Sequence, residues 1–208
     1  PLSYRNLVLF LVSAVFYGWE KPIYLLIMLF VIVINYIFGY FIDLFNEDEF
    51  KRKKILVCGI SINIAVLGFF KYADFLLENL SRISFLSFLS PIGISLPIGI
   101  SFYIFQSMSY IIDVYRGDAH VQKKFVNFGV YVSMFPQLIA GPIVRYSDVD
   151  SQLENRKHSL SLIAKGIRRF IIGLSKKVLF ADVAGALWEQ IADIPRGQTS
   201  VLLLWMGI

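Results

Sequence analysis

No charged side chain occurs between Lys21 and Asp43, and residues 23–45 are apolar almost throughout. A helix of about 20 such residues crosses the ~30 Å hydrocarbon layer of a bilayer. This run is not an isolated hydrophobic stretch. Hydrophobic residues make up 57% of the 208, and charged residues only 17%. Soluble domains average about 45–50% and about 25%. The balance excludes most soluble enzymes, disordered chains and coiled coils. Backbone groups in lipid must be satisfied internally, so the expected fold is all-α: a polytopic transmembrane helical bundle.

Further spans follow the same reading. Residues 7–19 are apolar but short, as a truncated or tilted span would be. Residues 55–70 form a third span, extended by 71–77, and residues 96–115 a fourth. Residues 125–144 are apolar but interrupted by Pro136 and Pro142, with Gly141 beside the second. Proline removes a backbone donor and clashes with the preceding turn. A carbonyl freed in lipid is expensive, so such a break must be shielded by protein or line a cavity. The segment therefore reads as a re-entrant or broken helix.

Basic residues orient the bundle. Lys51, Arg52, Lys53 and Lys54 fall in the expected loop 46–54. Arg116, Lys123 and Lys124 follow the fourth span, and residues 145–177 hold eight more bases. The alternate connections hold only Lys21 and Arg82. Basic loops stay in the cytoplasm, so the net charge of +5 records membrane orientation. No basic stripe is interleaved with a nucleic-acid motif, and no nucleic-acid partner is expected; membrane lipid is.

Residues 159–181 change period. Leu160, Ile163, Ile167, Phe170, Ile171, Leu174 and Val178 recur at helical spacing, with Lys165, Arg168, Arg169, Lys176 and Lys177 mainly on other faces. This is a basic amphipathic helix, suited to the cytoplasmic interface or to packing on the bundle. Residues 80–95, rich in Ser, Phe, Leu and Ile, read as an outer segment along the surface. Cys58 is the single cysteine, so no intrachain disulfide or cysteine-based metal site can form. The chain starts at Pro1 and stops within the apolar run 201–208, so a piece of a longer membrane domain, truncated at both ends, is expected.

No phosphate-binding loop, nucleophile elbow or zinc-helix motif is present. His120 and His158 lie among polar neighbours in cytoplasmic loops. The fourth span is richer in chemistry. It carries Tyr103, Gln106, Ser107, Ser109, Tyr110 and Asp113, and Gln106, Ser109, Tyr110 and Asp113 share one helical face. Such a face lines a wet pocket or tunnel, or makes interhelical hydrogen bonds. Asp113 stands one turn before Arg116, as an ordinary helix-end ion pair would. Lys71 and Asp74 read as an i,i+3 pair at the outer interface. In residues 135–146 the broken backbone could aim Gln137 and Arg145 into a cavity.

Three groups of strings carry a resemblance. Residues 96–106 (LPIGISFYIFQ) with 109–117 (SYIIDVYRG), residues 135–146 (FPQLIAGPIVRY), and residues 173–178 (GLSKKV) with Ala181-Asp182 resemble successive blocks of the membrane-bound O-acyltransferase family. Tyr4-Arg5-Asn6 and Phe16-Tyr17-Gly18-Trp19 resemble an early block. The branch indicated is the alginate O-acetyltransferase type, related to the D-alanyl transferase of teichoic acids.

The resemblance implies an inner-membrane, multi-pass enzyme that moves an acyl group, commonly acetyl, from a cytoplasmic donor to an extracytoplasmic polysaccharide hydroxyl. The implied donor is acetyl-CoA or an acyl carrier, with no bound cofactor or metal, and an extracytoplasmic partner acyltransferase often completes the transfer. The family's key histidine belongs to a later block. Neither His120 nor His158 matches it, so no catalytic residue is assigned here. The tunnel-lining or substrate-lining candidates are Tyr103, Gln106, Asp113, Gln137 and Arg145. D-alanyl transfer and a transporter or channel half are the alternative readings.

Overall fold

The computed structural model describes residues 2–19, 21–82, 85, 88, 90–138, 141, 144–156, 159–194, 200 and 205. Among them every regular element is helical. They form two units, residues 1–156 and 157–208. The first contains α1 (Leu2–Gly18), α2 (Pro22–Leu44), α3 (Glu49–Ser81), α4 (Ile100–Arg116), α5 (Phe125–Ser133), the single turn α6 (Phe135–Leu138) and α7 (Tyr146–Asn155). The second contains α8 (Leu160–Lys176), a π-helical turn (Lys177–Ala181) and α9 (Asp182–Ala192). The apolar run 201–208 and His158 lie outside the described residues, apart from Trp205.

α2 is the axis of the first unit and packs against α1, α3, α4 and α5. Pro22 opens it, where a missing N–H costs nothing. Its buried positions Tyr24, Met28, Val31, Ile32, Asn35, Gly39 and Ile42 follow the helical period. The other faces leave Ile23, Leu26, Phe30, Val33, Ile37 and Phe41 exposed, as lipid contact requires. α2 and α3 are both long and apolar enough to cross a membrane, whereas α1 is apolar but shorter. The 33 residues of α3 span about 50 Å at 1.5 Å per residue, more than the hydrocarbon layer.

Two expected boundaries and one expected ion pair differ in the structure. Lys51 to Lys54 do not sit in a loop; they occupy the first turns of α3. Asp48 starts this helix by accepting from the Lys51 amide at 3.0 Å. That bond, and then the Lys51 ammonium, hold its carboxyl below the usual range. The fourth span begins at Ile100 rather than Leu96, because Gly99 adopts φ 73° and turns the chain. Its 17 residues reach about 25 Å. The i,i+3 pair of Lys71 and Asp74 does not form. The Asp74 carboxylate instead accepts from the amides of Ile92, Gly93 and Ile94 at 2.8, 3.3 and 2.7 Å, which ties the outer segment to α3. The Lys71 ammonium lies over the Tyr72 ring.

Glycines let the helices approach. A Cβ on Gly39 would stand 2.6 Å from the Tyr110 ring, and one on Gly129 would stand 2.7 Å from the Phe10 ring. Small residues at such crossings are how membrane helices gain van der Waals contact. Beside them, α2 and α3 are joined by a reciprocal amide pair. Asn35 donates to Asn63 at 2.9 Å, and Asn63 donates back at 2.8 Å. Each amide also donates to its own helix, to Val31 and Gly59. Replacing one partner strands the other in an apolar setting. Asn35→Leu is therefore expected to lower stability by about 1 kcal/mol in a mixed-micelle unfolding titration. The double Asn35→Leu/Asn63→Leu variant should be closer to the wild type, since nothing is left unpaired. Equal stability of the single variant and the wild type would show that the pair contributes nothing.

Candidate functional site

The five candidates lie on α4, α6 and the entry to α7. On α4 the inward face is Ile100, Tyr103, Ile104, Gln106, Ser107, Tyr110, Ile111, Asp113 and Val114, so the shared polar face does turn into the bundle. Tyr103 is wholly buried, with its ring edge-on to Tyr17 at 6.1 Å.

Gln106 and Gln137 meet at one atom. The side-chain amide of Gln106 donates to the Tyr131 carbonyl at 2.7 Å, and that of Gln137 donates to the same oxygen at 2.8 Å. The cause lies in the sequence. α5 stops at Ser133, Met134 leaves the helical region with ψ 113°, and Pro136 has no N–H to give. Carbonyls of the last α5 turn thus lose helical partners, and two glutamines from flanking helices replace them at Tyr131. The break within residues 125–144 is real and is shielded by side chains. Ile139, Ala140, Pro142 and Ile143 lie outside the described residues. Gly141 closes back on α6, its amide donating to the Gln137 carbonyl at 3.2 Å.

Tyr131 is the hub of this region. Its hydroxyl donates to the Val144 carbonyl at 2.8 Å, which joins the two sides of the break. Its ring packs edge-on to Tyr146 at 5.2 Å, and Tyr146 packs on Tyr110 at 4.9 Å. A second network continues from there. Gln122 donates through its backbone to the Tyr110 hydroxyl at 3.0 Å and through its side chain to the Tyr146 hydroxyl at 2.8 Å. Tyr146 donates to Asp150 at 2.6 Å. Burial, ahead of the Asp150 carboxylate, pushes the Tyr146 phenol upward. A third node is Asn6, which donates to Asn127 and to the Leu153 carbonyl, both at 2.9 Å. It joins α1 to α5 and α7.

Asp113 and Arg145 differ in character. Asp113 is buried, and its Oδ2 has no hydrogen-bond partner among the described residues. The expected ion pair with Arg116 is absent. Asp113 faces inward while Arg116 is exposed past the last inward turn. The turn after α4 is held by the Asp113 backbone carbonyl, which accepts from Asp118 and Ala119 at 2.9 and 3.3 Å. Arg145 is exposed at the N-terminal boundary of α7. His120 is exposed as well. Among the described residues no group of His, Cys, Asp and Glu could hold a metal ion.

The sequence compares with known proteins over almost its full extent. Along 207 residues, 98% of the chain, it is 41% identical to the probable alginate O-acetylase AlgI of Pseudomonas aeruginosa, covering 39% of that protein. It is 42% identical over 185 residues to the probable alginate O-acetylase AlgI of Azotobacter vinelandii, which is 88% of this chain and 37% of the relative. These relatives bear out the resemblance of the sequence strings to the alginate O-acetylase-like branch of the membrane-bound O-acyltransferase family. A peptidoglycan O-acetyltransferase of Helicobacter pylori is 33% identical over 206 residues, 86% of this chain and 39% of the relative. The chain thus spans about two fifths of the length of these relatives. No protein-family model and no solved structure matches it.

Beside that similarity, the described residues of the first unit set hydrogen-bonded polar side chains around a broken helix, with the Asp113 Oδ2 left without a partner among them. Tyr131, Tyr146, Gln122 and Asn6 carry most of those contacts and were not among the sequence candidates. Two clefts among the described residues have none of the five candidates in their lining. One of about 610 Å³ is bounded by Ser3, Tyr4, Leu7 and residues 124–127. Another of about 470 Å³ runs along α3.

Proposed function

We propose that the chain supplies membrane scaffold to an enzyme that O-acetylates a cell-envelope or exported polysaccharide. The observation that carries this reading is the relatedness along 98% of the chain to a protein named as an alginate O-acetylase, joined by a peptidoglycan O-acetyltransferase. Both names specify O-acetyl transfer to a carbohydrate polymer. In this proposal the enzyme is a multi-pass protein of the bacterial inner membrane. It takes acetyl from a cytoplasmic thioester, acetyl-CoA or an acyl carrier, and delivers it to an extracytoplasmic hydroxyl, with an extracytoplasmic partner acyltransferase. The bond between the acyl carbon and sulfur breaks and an ester C–O bond forms. The hydroxyl proton leaves through a general base and ends on the released thiol. The base belongs to the histidine block that the family resemblance implies, and no residue of this chain is assigned to it.

The roles proposed for the five candidates are supportive. Gln106 and Gln137 hold the broken segment open and Tyr103 packs its wall. Arg145, exposed and cationic, meets an anionic or phosphate-bearing donor, which guanidinium binds well. Asp113, buried behind the same end of α4, lines the path. A strain lacking the gene, complemented with wild-type or variant protein, tests this. Alkaline hydrolysis of its envelope polysaccharide should release acetate with the wild type. Loss of one charge-assisted contact is worth about 1.5–3 kcal/mol, so Arg145→Ala should lower donor use by about tenfold or more at equal protein level. Normal ester content with Arg145→Ala and Gln106→Ala would remove both residues from the transfer path. Release of D-alanine in place of acetate would move the enzyme to the D-alanyl branch.

A further inference from the structure

The four consecutive bases that open α3 have different surroundings. Lys51 is paired with the Asp48 carboxylate at 2.9 Å. Arg52 turns inward; its guanidinium donates to the Tyr115 carbonyl at 2.7 Å and lies 5.1 Å from the centre of the Tyr115 ring. Lys53 and Lys54 are exposed and make no ion pair among the described residues. Glu49, one turn before Lys53, does not close a salt bridge with it. Both lysines border a cleft of about 470 Å³ whose remaining walls are Phe50, Val57 and Cys58. Lys54 lies 4.2 Å over the Phe50 ring.

These charges do not serve the helix. Cations in a first turn oppose the macrodipole, which favours anions there. The bases nevertheless sit at the end of a membrane-crossing helix, at the depth where the apolar run begins. Two unpaired ammonium groups above an apolar trough match one chemistry: a phosphate-bearing headgroup with an acyl chain running down beside it. We propose that Lys53, Lys54, Phe50, Val57 and Cys58 form a binding site for an anionic phospholipid of the cytoplasmic leaflet, phosphatidylglycerol or its like. The lysines hold the phosphate, and the chain follows Val57 and Cys58 along α3. Anionic lipids attract juxtamembrane lysines by about 1 kcal/mol each, which is roughly fivefold per lysine.

The full-length protein in liposomes tests the site with a photoreactive phosphatidylglycerol and, separately, a photoreactive phosphatidylcholine of the same chain length. Crosslinks are mapped by peptide mass. Phosphatidylglycerol is expected to label residues 50–58 well above phosphatidylcholine. Lys53→Gln/Lys54→Gln should reduce that labelling by about 25-fold, two fivefold steps together. Val57→Trp keeps both charges and fills the trough; it should displace the chain and lower labelling at Cys58. Equal labelling by the two lipids would overturn the proposal, because the headgroup charge would then not matter. Loss of labelling by both lipids with alkylation of Cys58 also blocked would overturn it too, because protein would then cover the groove.

Discussion

Gly99→Ala is expected to be among the most damaging single-methyl changes in the first unit, lowering its stability by about 2–5 kcal/mol. Two effects add. Gly99 has φ 73°, where an L side chain is strained by about 1–2 kcal/mol. A Cβ there would also stand 2.6 Å from the Leu138 carbonyl oxygen. That neighbour is backbone, at the end of α6, and cannot rotate away. Overpacking of this kind costs about 1–3 kcal/mol. The change pushes apart the start of α4 and the broken segment that α4 shields. Gly117→Ala separates the two effects. Gly117 also has a left-handed φ, 79°, yet nothing lies within 4 Å of its Cβ position, so only the strain applies. Unfolding midpoints of both variants in one micelle system give the comparison. If Gly99→Ala is no worse than Gly117→Ala, α4 and α6 are not in the contact described.

The sequence makes some of this legible and hides the rest for identifiable reasons. α2 is read almost to the residue, because a charge-free run between Lys21 and Asp43 has one structural solution in lipid. The inward polar face of α4 is read from the spacing of Gln106, Tyr110 and Asp113. The break is read from Pro136, whose missing donor stops α5 from continuing, although the turn itself falls at Met134. The basic cluster at 51–54 misled, since charge reads as loop, while Asp48 caps the helix just ahead of it. Asp74 misled for another reason. Its nearest cation in sequence is Lys71, but its carboxylate is taken by three amides some 18–20 residues away. Contacts of that range leave no periodic signal. Tyr131, Gln122 and Asn6 were invisible for the same reason. Their partners are backbone carbonyls, hydroxyls and, for Asn6, a side-chain amide on other elements, whose approach depends on the fold. The five candidates share only chemical type in the sequence. The fold unites Gln106 and Gln137, buries Tyr103 and Asp113, and leaves Arg145 exposed.

The pairing of Gln106 and Gln137 on one oxygen predicts non-additive behaviour. Each amide alone can satisfy the Tyr131 carbonyl, so Gln106→Ala or Gln137→Ala should cost about 0.5–1 kcal/mol, the net worth of one ordinary hydrogen bond. The double Gln106→Ala/Gln137→Ala variant leaves the carbonyl bare in a buried, apolar setting. That penalty is about 1–3 kcal/mol beyond the lost bonds, and the double variant should therefore exceed the sum of the singles. A double-mutant cycle on unfolding free energy measures the excess as a coupling energy. A second readout separates structure from chemistry. The carbonyl C=O stretch of isotope-edited Tyr131 should move little in either single variant and shift to higher frequency in the double, as an unbonded carbonyl does. Strict additivity, with the band unmoved, would mean that water or another donor reaches Tyr131 and that the helix break is wet. The break would then be an opening onto a solvated path through the bundle, with Gln106 and Gln137 on its wall. A positive coupling instead makes the same break a dry, rigid corner.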